Sequence, residues 1–193
     1  MNSLAHTPFT VFLTRFEELP EDLIAAFERK IQRIELPKKT QLLKKGKICH
    51  SLYYIEKGLA RNFYEEDNKE QTCDIALNGE MLVSFASFIS QQPSMEIIEL
   101  LEDSVLYSLH YEDLQQLYHD FPVMERLGRR MAEYYYNSLS TKNYQLKFNN
   151  TTERYMQLFN SKIEIIRRVP IGIIASYLGM SMETLSRIRS KQD

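Results

Sequence analysis

The chain has 193 residues, 44% of them hydrophobic and 26% charged, with 6 Gly, 6 Pro and 2 Cys. That length suits one large domain, or a medium domain with a small module, and the composition excludes a disordered, collagenous or disulfide-stapled secreted protein. The net charge of −2 is unevenly placed: residues 1–125 hold 12 Lys/Arg and 21 Asp/Glu, and residues 126–193 hold 12 and 5, so the final third alone has the sign to meet a polyanion.

The first apolar run, 9–13, has no basic region before it and acidic residues after it, which argues against a signal peptide. Pro20-Glu21-Asp22 ahead of Leu23, Ile24, Phe27 and Ile31 predicts a short helix, with proline in the first turn and acids at the positive dipole end. From Arg33 to Leu109 the pattern becomes β-like, with short runs at 41–43, 51–55, 59–64, 71–77, 95–101 and 104–109. Turn signals divide them at Lys45-Gly46-Lys47, Lys57-Gly58, Glu66-Asp67-Asn68-Lys69, Asn78-Gly79 and Glu102-Asp103. Such spacing predicts a compact antiparallel barrel or sandwich, with an acidic hairpin tip over 65–70 and a short helix over 85–89 before the break at Pro93. Cys49 and Cys73 form no CxxC, and His6, His50, His110 and His119 show no paired spacing, so no metal site is expected.

The second half is helical. Asp113, Leu114, Leu117 and Tyr118 fill one or two turns before Phe121-Pro122. Met124, Leu127, Met131, Tyr134, Ser138 and Thr141 then alternate steps of three and four, tracing a coiled-coil-like seam over a helix of about 25 residues. A helix longer than the barrel needs is expected to dimerise through Met124, Leu127, Met131 and Tyr134, with Ser138 and Thr141 weakening the far end. Asn150-Thr151-Thr152-Glu153 has the form of a capping box and starts a helix carrying Tyr155, Leu158 and Phe159. The longest apolar stretch, 169–180, is broken by Pro170, Gly172, Ser176 and Gly179 and is too short to span a bilayer. A cytoplasmic protein with no membrane contact is expected.

Residues 171–190 have the pattern of a helix-turn-helix. Two steeply crossed helices need a small residue where they touch, which Ala175 supplies, and the turn needs tolerance of positive φ, which Gly179 supplies four residues later. Ile174, Leu178, Met180, Leu185 and Ile188 fall where the pair must pack, and Ser181 suits the N-cap of the second helix. If that helix enters a major groove, Met182, Glu183, Ser186 and Arg187 face the bases: Arg can bond guanine bidentately and Glu can accept from cytosine N4. Ser181, Arg167, Arg168, Arg189 and Lys191 have the chemistry to hold phosphates.

The chain from about Leu19 onward resembles a Crp/Fnr-family transcription regulator, in the compact style common in Bacteroidetes. The resemblance is strongest at Arg168-Val169-Pro170 and over 174–189. It implies an α+β chain: an N-terminal antiparallel β-roll (double-stranded β-helix or jelly-roll-like) with flanking helices, a long dimerisation helix, and a C-terminal helix-turn-helix. The expected divisions are 1–121 for a cyclic-nucleotide-binding-like sensor domain, 122–148 for the dimer helix and linker, and 149–193 for the DNA-binding domain. Glu183 and Arg187 match family positions that contact bases. Met182 stands where many relatives carry a basic residue, which points to a different target sequence.

The effector region departs from the family pattern. Cyclic-nucleotide binders carry a Gly-Glu pair for the ribose and an Arg-Ser/Thr pair for the phosphate. Here Val83-Ser84 replaces the Gly-Glu, and no arginine occurs between Arg61 and Arg126. A buried cyclic phosphate without a cation is costly, which argues against cyclic AMP. Tyr53, Phe63, Ser84, Phe85, Phe88 and Met95 are the candidate lining for a less charged effector, whose identity is open, and no cofactor is expected. The reading is therefore a homodimeric regulator on double-stranded DNA, with RNA polymerase a further candidate partner that no residue marks. The alternative is a small-molecule or protein-interaction module whose helix-turn-helix does not read DNA. An enzyme is not expected: GxSxG, P-loop, HExxH and GxGxxG are all missing.

Overall fold

A computed structural model of the protein describes residues 6–67 and 69–191. Two helices, α1 (Pro8–Leu13) and α2 (Glu21–Lys30), precede the strands β1 (Gln32–Leu36), β2 (Gln41–Leu43), β3 (Ser51–Lys57), β4 (Leu59–Glu66), β5 (Lys69–Leu77) and β6 (Met81–Leu82). A short helix, α3 (Phe85–Ser90), separates these from β7 (Glu96–Leu100) and β8 (Ser104–His110). The strands form two four-stranded antiparallel sheets in the orders β1-β8-β3-β6 and β2-β7-β4-β5. The expected β-roll is present. β1, β6 and α1 are additions to the sequence reading, because β1 alternates half-exposed residues and β6 is too short to show a period.

The core lies between the sheets and under the flanking helices. Phe9 stacks on Tyr54 at 5.1 Å and lies edge-on to Phe27 at 5.0 Å, so α1 and α2 seal one end of the roll. Strand β4 is buried on both faces from Leu59 to Phe63, the signature of a strand covered on two sides. Its Ala60 faces the roll interior, whereas Leu59 joins Ile75 and Leu101 in a second cluster shared with the C-terminal helices.

Gly58 makes the sharp β3–β4 connection at φ +127°, and a Cβ there would stand 2.1 Å from the Ser104 hydroxyl oxygen. Gly58→Ala is expected to destabilise the protein by roughly 2–4 kcal/mol, from backbone strain and overpacking together. A drop in melting temperature of about 5–15 °C would register it.

Helix α4 (Tyr111–Asp120) ends at Phe121, which is extended, and Pro122 opens the 27-residue helix α5 (Pro122–Phe148). The stripe read from the sequence as a dimer seam turns inward at its start. Met124 and Leu127 are buried in the chain's own core, Met131 packs against that core, and Tyr134 lies edge-on to Phe16 at 5.4 Å. The apolar positions were spaced correctly for a helix, but Met124, Leu127 and Met131 pack on the chain's own core beside α4, and Tyr134, still 57% exposed, touches Phe16 in the segment after α1. The face of α5 left open carries Tyr136, Leu139 and Leu146, at 71%, 66% and 43% exposure.

Beyond the extended Asn149, α6 (Thr151–Ser161) begins with the expected capping box: Glu153 N–H donates to Asn150 Oδ1 at 3.0 Å, and Asn150 N–H donates to Glu153 Oε2 at 2.9 Å. Three shorter helices complete the chain: α7 (Ile163–Arg168), α8 (Ile171–Leu178) and α9 (Met182–Arg189).

Candidate nucleic-acid interface

Helices α8 and α9 are joined by the turn that the sequence pattern requires. Gly179 takes φ +64°, and the amides of Gly179 and Met180 donate to Ser176 O and Ala175 O, closing α8 in a left-handed cap. Ala175, Ile174 and Leu178 are buried against Leu185 and Ile188 of α9. Ser181 caps α9, its hydroxyl oxygen accepting from Thr184 N–H at 3.2 Å.

With Leu185 and Ile188 turned inward, Met182, Glu183, Ser186, Arg187 and Ser190 fall on the outer face, where with Ile171 they line one open depression of about 600 Å³. The structure thus brings together all four residues expected to read bases. Hydrogen bonding from its own backbone N–H, then from the Ser181 hydroxyl, holds the Glu183 carboxyl below the usual carboxylate range, so it is an ionised acceptor at neutral pH. Among the described residues, Arg187 has no carboxylate within 4 Å and keeps its full fork of donors.

The five expected phosphate holders divide. Ser181 and Lys191 are exposed, Arg189 is half-buried, and Arg167 is exposed beside Glu164 at 3.1 Å. Arg168 is drawn away. Its Nε and Nη2 donate to the two oxygens of Glu102 at 3.1 and 2.6 Å, and Nη2 also donates to Gly58 O at 3.1 Å. This bidentate clasp ties α7 to the β-roll and removes Arg168 from the phosphate set. Glu102 stands 66 residues away, beyond what local spacing reveals.

The hydrogen bonds from Arg168 hold the Glu102 carboxyl below its ordinary range. A group titrating lower when folded contributes stability that is complete above the unfolded value and is lost as pH falls through the folded one. Glu102→Gln should therefore be less stable at neutral pH, and its stability should fall less steeply than the parent's on acidification below about pH 4. Chemical denaturation of both proteins between pH 3 and 7, on the order of one pH unit per step, would test this.

A second tether that the sequence reading missed joins α8 to β5. Thr72 N–H donates to Ser176 Oγ at 2.8 Å, Ser176 Oγ donates to Glu70 O at 3.1 Å, and Gln71 Nε2 donates to Ser176 O at 2.6 Å. The only local signal was a polar residue amid the apolar α8. At the same end of α8, Arg154 donates to Leu146 O, Asn149 O and Gly179 O, bridging α5 to the helix-turn-helix.

The six residues expected to line an effector pocket are not gathered around one space. Phe85 and Met95 are on the surface, at 48% and 64% exposure, because α3 lies along the edge of the roll. Phe88 is core, edge-on to Tyr111 at 5.4 Å, and Tyr53 packs against the same core. Phe63 is buried beneath the Arg61 guanidinium, 4.0 Å from its ring centroid. Ser84 is buried and bonded to Ser94 at 3.0 Å, while Ser87 binds Cys49 N–H and Gln92 O. The polar groups around α3 therefore satisfy one another. Arg61 shares the face of β4 that carries Leu59, away from the roll interior, and pairs with Glu70 at 2.7 Å and Glu99 at 3.0 Å while its Nε is buried without an acceptor.

Among the described residues, no helix is long and apolar enough to cross a membrane, and no group of three His, Cys, Asp or Glu side chains could hold a metal ion.

Comparison with known proteins agrees with this architecture. The family description "Cyclic nucleotide-binding domain" matches residues 33–121. The fumarate and nitrate reduction regulatory protein of Vibrio cholerae is 28% identical, over 94% of this chain and 74% of its own. The c-di-GMP responsive global regulator CLP of Xanthomonas campestris superimposes with a TM-score of 0.65 at 21% identity, over 90% of this chain and 91% of that one. A Eubacterium rectale structure assigned to transcriptional regulators of the Crp/Fnr family gives 0.70 at 17% identity, over 94% and 88%.

Proposed function

We propose, from the likeness of this chain to Crp/Fnr transcription regulators and the match of residues 33–121 to the cyclic nucleotide-binding domain, that it is a homodimeric, sequence-specific DNA-binding regulator. The observation that carries the reading is the outer face of α9, where Met182, Glu183, Ser186 and Arg187 share one open surface. An ionised acceptor and an uncommitted guanidinium, one helical turn apart, suit cytosine and guanine edges in a major groove. Ser181, Arg167, Arg189 and Lys191 flank that face and suit backbone phosphates. The excess of basic residues after position 125 supports the same assignment.

The dimer forms through the open face of α5. Ala132, Tyr136, Leu139, Asn143 and Leu146 step by four, three, four and three, and a polar Asn within such a seam fixes register. The division into 1–121, 122–148 and 149–193 is supported by the extended breaks at Phe121 and Asn149. The β-roll is a sensor in form, and the buried serines beside α3, Ser84 and Ser94, are bonded to each other and offer no cation, which argues against a cyclic phosphate.

Selection of bound duplexes from a random DNA pool, with purified protein at near-physiological salt, tests the reading. An enriched inverted repeat with half-site centres about 10–10.5 base pairs apart is the expected result. Failure to enrich any duplex, both with the purified protein and after adding cell extract as a source of effector, would overturn it in favour of a module whose helix-turn-helix does not read DNA.

A further inference from the structure

A cavity of about 440 Å³ lies where the end of α5, α6 and the end of α8 meet, away from both the α9 face and the β-roll interior. Three cations line it: Lys142, Arg154 and Lys162. Lys162 is paired with Glu80 at 2.6 Å. The other two have no carboxylate within 4 Å among the described residues. Lys142 donates to the Cys73 carbonyl and sits 3.7 Å from the centre of the Tyr177 ring, where burial lowers the pKa of its ammonium against the opposing pull of the Asp74 carboxylate. Arg154 spends its terminal nitrogens on backbone carbonyls and leaves its Nε–H buried with no acceptor. Gln145 and Gln157 add amide groups to the lining.

Three cations around one cavity repel one another, and only Lys162 among them has a carboxylate in contact among the described residues, so an entering oxyanion lowers that cost. The volume is that of a small-ligand site. We propose that this cavity binds a small phosphate-bearing anion, with the Arg154 guanidinium and the Lys142 and Lys162 ammoniums as its charged groups and Gln145 and Gln157 as neutral donors. Binding there joins three elements at once. Arg154 already reaches from the end of α5 to Gly179 in the helix-turn-helix, so an anion drawn to its guanidinium fixes the angle between α5 and the α8–α9 pair. This second consequence rests on the DNA-binding reading; the binding itself does not.

The test uses full-length protein without DNA. Inorganic phosphate and pyrophosphate are titrated against chloride at constant ionic strength, and binding is followed by calorimetry and by the shift in melting temperature. Saturable binding at one site per chain is expected. Arg154→Gln should weaken it by at least about tenfold, as loss of a charged hydrogen bond implies. Lys162→Gln, which leaves the carbonyl contacts of Arg154 in place, should weaken it severalfold and serves if Arg154→Gln does not fold. Arg187→Ala, on the DNA face, should bind as the parent does. No phosphate-specific binding would overturn the proposal. So would binding that survives both Arg154→Gln and Lys162→Gln, or binding that Arg187→Ala abolishes, which would place the anion on α9.

Discussion

Replacing Arg187 with alanine is expected to weaken binding to the selected palindrome by roughly 2–6 kcal/mol, about 30-fold to 10⁴-fold in affinity, because a dimer presents the residue twice and each bidentate guanine contact is worth about 1–3 kcal/mol. The effect should concentrate at one base pair per half-site, where the variant tolerates any base. The geometry behind this is the freedom of Arg187. It projects from the same face as Glu183, and among the described residues no carboxylate lies close enough to hold it. Lys191→Ala gives the contrasting result: weaker binding to all sequences alike, with the salt slope reduced by about one per lost phosphate contact. Titrations at several salt concentrations on matched and mismatched duplexes separate the two. If Arg187→Ala weakens every duplex equally, the residue holds phosphate and does not read bases.

The second large effect distinguishes two faces of one helix. Leu127 is fully buried within its own chain, and Leu127→Ala is expected to cost about 2–5 kcal/mol of folding stability. Leu139 is 66% exposed, so Leu139→Lys should leave the stability of the single chain nearly unchanged. In the dimer the same substitution removes two apolar side chains, at about 1.5–3 kcal/mol each, and sets like charges across a two-fold axis. Dimer dissociation should therefore rise by roughly 10²–10⁴-fold, read by sedimentation equilibrium. A Leu139→Lys protein that remains dimeric would move the interface off this face of α5.

Most of the strands and both halves of the helix-turn-helix were legible because their signals are local. The runs at 41–43, 51–55, 59–64 and 71–77 lie within β2 to β5, and Gly179, Ala175 and Ser181 do in space what their spacing demands. What stayed hidden depends on distant partners. The stripe from Met124 to Tyr134 has the same three-and-four steps whether it meets a second chain or the chain's own core, and periodicity cannot tell the two apart. Arg168 reads as a phosphate ligand until Glu102 is seen beside it. Phe85 and Met95 read as pocket residues because aromatics and Met usually go inside, yet α3 lies on the rim and leaves them in solvent. The site at Arg154 had no motif at all; it exists only because the ends of α5 and α8 converge on one side chain.

The position of β5 has a consequence for the protein's solubility. It is the outermost strand of its sheet, and the backbone groups of Glu70 and Thr72 are occupied by Ser176 of α8. Just inside them, Leu59, Ile75 and Leu101 are covered by the C-terminal helices. The helices after α5 are thus a cap over an edge that would otherwise invite pairing between sheets of different molecules. Any truncation that discards residues after α5, or any movement that lifts α8 away, bares a strand edge and an apolar patch together. A fragment cut at the end of α5 would self-associate, and α8 cannot leave β5 without uncovering that edge.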